Sequence, residues 1–251
     1  MATVPSAALF QSLPRGTIRE GVVGRILAAV VQGEFPAGHR MIVQRMAEQL
    51  GVSATPVREA LFELASIGIV HLLPNRGAVL REFGPRQLHE IYQVRRVLEV
   101  EAVRGACGQI DIEKLHSIEQ ELRELAKSPR EPGWSQRAMD VDVRLHALIA
   151  DACGSARLQH ELERYNILMQ VIREVVRNAH RAQDVAIGAH LEIIRELLAG
   201  DVESAAEVMA RHIDTTAVLV GEAMYPDTVA VKKDAAFSQA GRTEHTARVP
   251  A

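Results

Sequence analysis

Proline is unevenly distributed along this chain, and its positions divide the sequence into two parts. Six prolines lie within the first 85 residues, whereas the stretch from Gly133 to Tyr225 contains none. Because proline interrupts helices, the first part is limited to short elements and the second part can form long helices. The second part is also rich in Ala, Leu, Glu and Arg, which favour helix. We therefore predict a mainly α-helical protein, in which a domain of short elements precedes an antiparallel bundle of about six helices.

The length of 251 residues suits two modest domains. The predicted domains span 15–83 and 84–224. They are preceded by an arm at 1–14, expected to be flexible, and followed by a tail at 225–251 that lacks periodicity and is expected to be disordered. A hydrophobic fraction of 47% with 24% charged residues is typical of globular proteins and excludes a chain that is disordered throughout.

Two observations predict a cytoplasmic protein. No apolar run approaches the length of a transmembrane helix, and the first residues lack the pattern of a signal peptide. The two cysteines, Cys107 and Cys153, form no C-x-x-C pair, which excludes a disulfide framework and a thiolate zinc site. We expect both to be small buried residues in a reducing compartment.

The first domain has the element order of a winged helix-turn-helix. Helical spacing of apolar residues predicts a first helix, a short second helix over 43–50 and, after a sharp turn at Gly51, a third helix. Ser53 is suited to cap the third helix, and Pro56 falls in its first turn, where a missing N–H does no harm. Two short strands follow between residues 69 and 83. This order predicts that the third helix presents its N-terminal end to a groove of DNA.

Three residues of this domain are candidates for DNA contacts. Thr55 and Arg58 are placed on the outward face of the third helix, where Arg58 can give a guanine a bidentate contact or bind a phosphate. Arg76, in the turn between the two strands, can reach the minor groove or a phosphate. The alternative is a small structural domain whose arginines only solvate its surface.

The run from Leu50 to Leu61, LGVSATPVREAL, resembles the recognition-helix signature of the GntR family of bacterial transcription regulators. The sequence Asn75-Arg76-Gly77 resembles the wing of that family, so Gly77 is added to the predicted DNA-contacting residues. The resemblance also implies a basic contact from the preceding helix, for which Arg45 is the candidate. Ala54 stands where the family commonly has arginine, so the operator sequence is not implied.

Residues 84–224 resemble the all-helical FCD ligand domain of the FadR-like branch of that family. This resemblance implies a homodimer, with two-fold symmetry that matches a palindromic double-stranded DNA operator. It also implies that an Asp-x-x-x-His pair and two later histidines form a metal site inside the bundle.

The four residues of such a site are present in this chain. Asp142 and His146 are four residues apart and therefore share one helix face, and His190 and His212 fall within two later helices. One carboxylate and three imidazoles suit a divalent transition metal, with zinc or nickel preferred. The alternative is that these histidines are buried core residues with ordinary hydrogen-bond partners.

An organic acid is the predicted effector, because it can fill coordination positions that four protein ligands leave open. Arg95 is a candidate partner for its carboxylate, although Arg95 and Glu99 also have the spacing of an ordinary helix ion pair. Asn166, Gln170 and Arg173, all within the fourth predicted helix of the bundle, are further candidates for effector binding.

The predicted function is a ligand-responsive transcription regulator, a repressor controlled by a small carboxylate at the metal site. One alternative is a metal-dependent hydrolase, although the sequence has no nucleophile elbow and no phosphate-binding glycine loop. The other alternative is a regulator whose metal is purely structural. The formal net charge of −3 divides into +2 over residues 1–82 and −5 over the remainder, which fits a mildly basic DNA-binding domain joined to an acidic ligand domain.

Overall fold

A computed structural model describes residues 18–74, 76–176 and 179–226 of the chain. The predicted arm at 1–14 and residues 227–251 of the predicted tail lie outside the described residues. None of the helices in the described ranges combines the length and the hydropathy needed to cross a bilayer.

The N-terminal elements follow the predicted order with one addition. They are α1 (Ile18–Val31), β1 (Arg40–Met41), α2 (Val43–Leu50), α3 (Ala54–Ser66), β2 (Val70–Leu73) and β3 (Gly77–Leu80). Six helices follow: α4 (Pro85–Ala106), α5 (Ile112–Lys127), α6 (Trp134–Ala152), α7 (Ala156–Val175), α8 (His180–Ala199) and α9 (Val202–Met224). The predicted fold class, a winged helix-turn-helix joined to a bundle of about six helices, is confirmed.

The helix-turn-helix is formed by α2 and α3. Gly51 ends α2 in the left-handed conformation, with φ of 66°, and its backbone N–H returns to the last turn of the helix. Ser53 is the N-cap residue of α3 as predicted, but its side chain makes no capping hydrogen bond. Buried Val57, Leu61 and Leu64 fasten α3 to the domain core, which leaves its opposite face outward.

The wing is part of a three-stranded antiparallel sheet with the order β1-β3-β2. Strand β1 is two residues long and was not predicted, because so short a segment shows no alternation. Gly77 begins β3 with φ of 86°, and a Cβ atom there would lie 2.0 Å from the carbonyl oxygen of Met41. Only glycine fits this contact, so Gly77 has a structural role in joining β1 to β3.

The bundle and the N-terminal domain are in direct contact. Helix α1 packs against α7. In addition, Arg164 of α7 donates a hydrogen bond of 2.6 Å from Nη2 to the backbone carbonyl of Ser66, the last residue of α3. Glu161 holds the other side of this guanidinium through an ion pair of 2.5 Å. A cation at the carboxyl end of a helix interacts favourably with the helix dipole.

Candidate metal centre and effector cavity

Four potential metal ligands converge in the middle of the bundle. Asp142 and His146 lie on α6, one turn apart, while His190 comes from α8 and His212 from α9. One donor atom from each lies within 4.8 Å of the donors of the other three. The three histidines are buried, with relative exposures of 5% or less. The structure thus brings together side chains that are up to 70 residues apart in sequence.

The potential metal-ligating atoms of this cluster lie close to one another. His190 Nε2 lies 3.1 Å from His212 Nε2 and 3.4 Å from Oδ1 of Asp142. His146 Nε2 lies 3.9 Å from the same oxygen. Two neutral imidazoles that face each other can share only one proton, so at least one of the two Nε2 atoms is unprotonated and carries a lone pair.

Glu99 of α4 orients one of the histidines. Its Oε2 accepts a hydrogen bond of 3.0 Å from Nδ1 of His146 and its Oε1 accepts one of 3.2 Å from Nε of Arg95. With the proton on Nδ1, Nε2 of His146 is left as an acceptor, and it is 3.2 Å from Nη2 of Arg95. A carboxylate that accepts a hydrogen bond from Nδ1 keeps the proton on that nitrogen, so that Nε2 can bind a metal. Sequence reasoning paired Glu99 with Arg95 but gave no indication of its contact with His146.

Arg173 of α7 supports the carboxylate ligand. Its Nε lies 2.5 Å from Oδ2 of Asp142, which leaves the other oxygen, Oδ1, facing the histidines. Burial alone would raise the pKa of Asp142, but the positive charge of Arg173 and the neighbouring histidines lower it well below its usual range. Burial would likewise raise the pKa of Glu99, and His146 with Arg95 instead lowers it to about 2. Both carboxyl groups are therefore ionised at neutral pH.

Two of the histidines are held neutral. Burial lowers the pKa of His190 to about 3, although Asp142 opposes the shift. Burial and the proximity of His190 lower the pKa of His212 well below its usual value. Neutral imidazoles and ionised carboxylates are the protonation states in which these side chains bind metals.

Acidification should destabilise the metal-free protein below about pH 6.5. The unfolded chain takes up protons at His190 and His212 near pH 6.5, whereas the folded chain resists protonation of His190 down to about pH 3. Stability conferred by Glu99 is lost lower, between about pH 4.5 and 2. We expect the unfolding temperature measured in EDTA to fall between pH 7.5 and pH 5, and the variant His190→Gln to reduce that fall. The exposed His89 provides a control, and a wild-type profile that is flat over this range would contradict the expectation.

A cavity of about 60 Å³ adjoins the cluster. Arg95, Asp142, Arg173 and His190 contribute to its wall. Two of the predicted effector-binding residues, Arg95 and Arg173, thus line this cavity. Asn166 and Gln170 do not line this cavity, and Gln170 is exposed.

Comparison with protein families identifies both halves of the chain. The model of the FCD domain matches residues 90–215, and the model of the bacterial regulatory proteins of the gntR family matches residues 18–80. The first match alone covers half of the chain. The chain belongs to the GntR family and carries an FCD domain. It is therefore a DNA-binding transcription regulator, and its matched families are regulatory proteins rather than enzymes.

This GntR regulator is similar in sequence or in fold to several known proteins. It is 28% identical over 209 residues to a probable D-xylose utilization operon transcriptional repressor of Paenarthrobacter nicotinovorans, covering 82% of this chain and 90% of the relative. Escherichia coli McbR/YncC has a similar fold, with a TM-score of 0.60, 24% identity and coverage of 82% of this chain and 97% of that one. The metal-free FCD domain of TM0439 matches with a TM-score of 0.50 and 22% identity, over 58% of this chain and 99% of that domain.

The predicted DNA contacts of the GntR domain lie on its surface. Thr55 and Arg58 are exposed on α3, and Arg45 is exposed on α2. Arg76, between β2 and β3, is also exposed, whereas Gly77 is half-buried against β1. Phe62 continues the outward face of α3 and is 63% exposed. These positions leave the side chains of the four polar residues accessible to a DNA groove and its phosphates.

Proposed function

We propose that this regulator holds a divalent transition metal, zinc or nickel, at Asp142, His146, His190 and His212, and that a small carboxylate bound beside the metal controls its affinity for the operator. The observation that carries the proposal is the convergence of three buried histidines and Asp142 within 4.8 Å, next to a cavity that is lined by Asp142, His190 and two arginines.

The chemistry of the donor set fits such an ion. The carboxylate of Asp142 is ionised and the imidazoles of His190 and His212 are neutral, so these three ligands need lose no proton before binding. Three nitrogen donors and one oxygen donor match the preference of zinc and nickel rather than that of magnesium or calcium. A bound ion supplies a positive charge and open coordination positions to which a carboxylate is attracted.

The two arginines would bind and orient the effector. Arg95 and Arg173 each carry guanidinium N–H groups beyond those that contact Glu99, His146 and Asp142, and both side chains line the cavity. Burial strengthens a hydrogen bond between a guanidinium and a carboxylate, because little water competes for either partner.

Helix α7 offers a physical connection from the effector cavity to the DNA-binding domain. Arg173 lies at the cavity, and Arg164, nine residues earlier on the same helix, hydrogen-bonds to the end of α3. Nine residues of helix span about 13 Å. A displacement of α7 caused by effector binding would therefore act on the orientation of α3. Such coupling requires that the effector has different affinities for two arrangements of α7.

The assembly and the direction of control belong to the same proposal. A homodimer on a palindromic operator would place two copies of α3 in successive major grooves. Repression is the proposed mode, supported by the relative from Paenarthrobacter nicotinovorans, which is named as a transcriptional repressor.

The proposal is tested by titrating the full-length protein against an operator fragment selected from random DNA. We expect zinc with butyrate, succinate or malate to weaken operator binding by at least about 5-fold relative to zinc alone, the lower range of allosteric coupling. The variant Arg164→Ala should still bind the carboxylate, measured by calorimetry, but should lose most of this response.

Arg157→Ala is the matched control for that variant. Arg157 lies on the same helix and pairs with the same Glu161, but it is 81% exposed. It should respond as the wild type does. If zinc raises the unfolding temperature while no carboxylate changes operator binding, the metal is structural and the effector part of the proposal fails.

A further inference from the structure

The cavity extends from the metal cluster in one direction along the bundle. On α8 its wall includes Gln183 and Ile187, which precede His190, and on α9 it includes Val220, which follows His212. On α6 it includes Met139, which precedes Asp142. Consecutive helices of the bundle run antiparallel. Residues that precede the ligands on α6 and α8 therefore lie toward the same end of the bundle as residues that follow the ligand on α9. The eight residues from His212 to Val220 correspond to about 12 Å of helix.

The two ends of this cavity differ in polarity. The end at the cluster has the guanidinium groups of Arg95 and Arg173. The other end is lined largely by apolar side chains, among them Met139, Ile187 and Val220. Among the described residues that line the cavity, the remaining polar groups at that end are neutral, and no further cation is present there.

This polarity limits the charge that a ligand can carry. One carboxylate at the cluster end can be met by both arginines and by the metal. A second carboxylate would lie among methionine and aliphatic side chains, with only the neutral groups of Gln183 and Thr216 nearby. Burial of a charge without an ionic partner is costly, whereas burial of methylene groups is favourable.

The small size of the cavity, about 60 Å³, favours a short ligand. We infer that the effector is a short, unsubstituted aliphatic monocarboxylate. Its carboxylate lies between Arg95 and Arg173, and its chain lies against Ile187 and Val220. This inference rests on the proposed function, which requires only that some carboxylate binds.

Calorimetry of the full-length, zinc-loaded protein with four acids tests the inference. We expect butyrate to bind at least about 10-fold more tightly than succinate or malate, because each of these places a polar group among the apolar side chains. Butyrate should also exceed acetate, by about 4-fold for each added methylene.

A matched pair of substitutions on α9 tests the position of the chain. Val220→Thr replaces a buried methyl by a hydroxyl at nearly constant volume and should weaken butyrate binding at least about 5-fold, with little effect on acetate. Val218→Thr makes the same change at a position that is 60% exposed and should leave both affinities unchanged. Zinc content and unfolding temperature identify any variant that has failed to fold.

The outcomes separate the inference from the proposed function. If succinate or malate binds more tightly than butyrate, the inference is wrong while a carboxylate effector remains. Equal binding of butyrate by wild type and a correctly folded Val220→Thr also overturns it. If none of the four acids binds to zinc-loaded protein, the proposed effector site fails together with the inference.

Discussion

Replacement of His190 by alanine is expected to reduce bound zinc from about one ion per chain to nearly none after dialysis. His190 is 1% exposed, and its Nε2 is the donor closest to both His212 and Asp142. Loss of a partner that only orients a ligand already costs about 10–100-fold in metal affinity, so loss of the ligand itself should cost more than about 100-fold. Elemental analysis of the purified protein measures the result directly.

Two further variants make this result interpretable. Alanine leaves a cavity in the bundle core, so His190→Gln, which retains most of the volume, should be compared with it. His89→Ala removes an exposed histidine of α4 and should keep a full complement of zinc. Zinc should raise the unfolding temperature of wild type and His89→Ala but not of the His190 variants. Unchanged zinc content in His190→Gln would remove this residue from the site.

Replacement of Arg58 by alanine is expected to weaken operator binding by about 1–3 kcal/mol, roughly 5- to 150-fold, if the guanidinium reads a base. Arg58 is exposed on α3, four residues after Ala54. Because Ala54 brings no charge to this helix, few other side chains of α3 can replace the contact. Fluorescence anisotropy with the selected operator fragment measures the change.

The salt dependence of binding distinguishes a base contact from a phosphate contact. If Arg58 binds a phosphate, its loss should reduce the slope of log K against log salt by about 1 and should weaken binding to all sequences alike. If it reads a base, specificity at one operator position should relax instead. Arg86→Ala, at an 84% exposed position on α4, is the control. Unaltered affinity and slope in Arg58→Ala would exclude this residue from the interface.

Helix positions could be predicted well because periodicity and helix breakers are local properties of the sequence. The predicted second helix, 43–50, coincides with α2, and the six predicted helices of the bundle correspond to α4–α9. Strand β1 could not be predicted, because its two residues are defined by pairing with β3 and not by their own pattern. Ser53 occupies the N-cap position of α3 as predicted, but sequence could not show that its side chain makes no capping hydrogen bond.

The candidate site was less accessible to sequence reasoning, because it depends on which helix faces meet. Spacing placed Asp142 beside His146, but only the fold brings Glu99 to the back of His146. On α7 the cavity is lined by Met169 and Arg173, one turn apart on one face. Asn166 lies a turn earlier on that face, and Gln170 is rotated by about 100° from Met169, so neither reaches the cavity. Local spacing cannot show where along a helix a cavity begins.

The contact between Arg164 and Ser66 has a consequence for the DNA as well as for the protein. A DNA-binding domain that is held against its own bundle cannot swivel freely to follow its half-site. One base pair inserted between two half-sites rotates one of them by about 34° around the duplex axis and also shifts it along that axis. A freely tethered domain would tolerate such a change of helical phase, whereas this protein would have to break its hydrogen bond at Ser66 or twist the DNA. If the protein binds as the proposed homodimer, the spacing between half-sites would thus be as much a part of what it recognises as the bases within them.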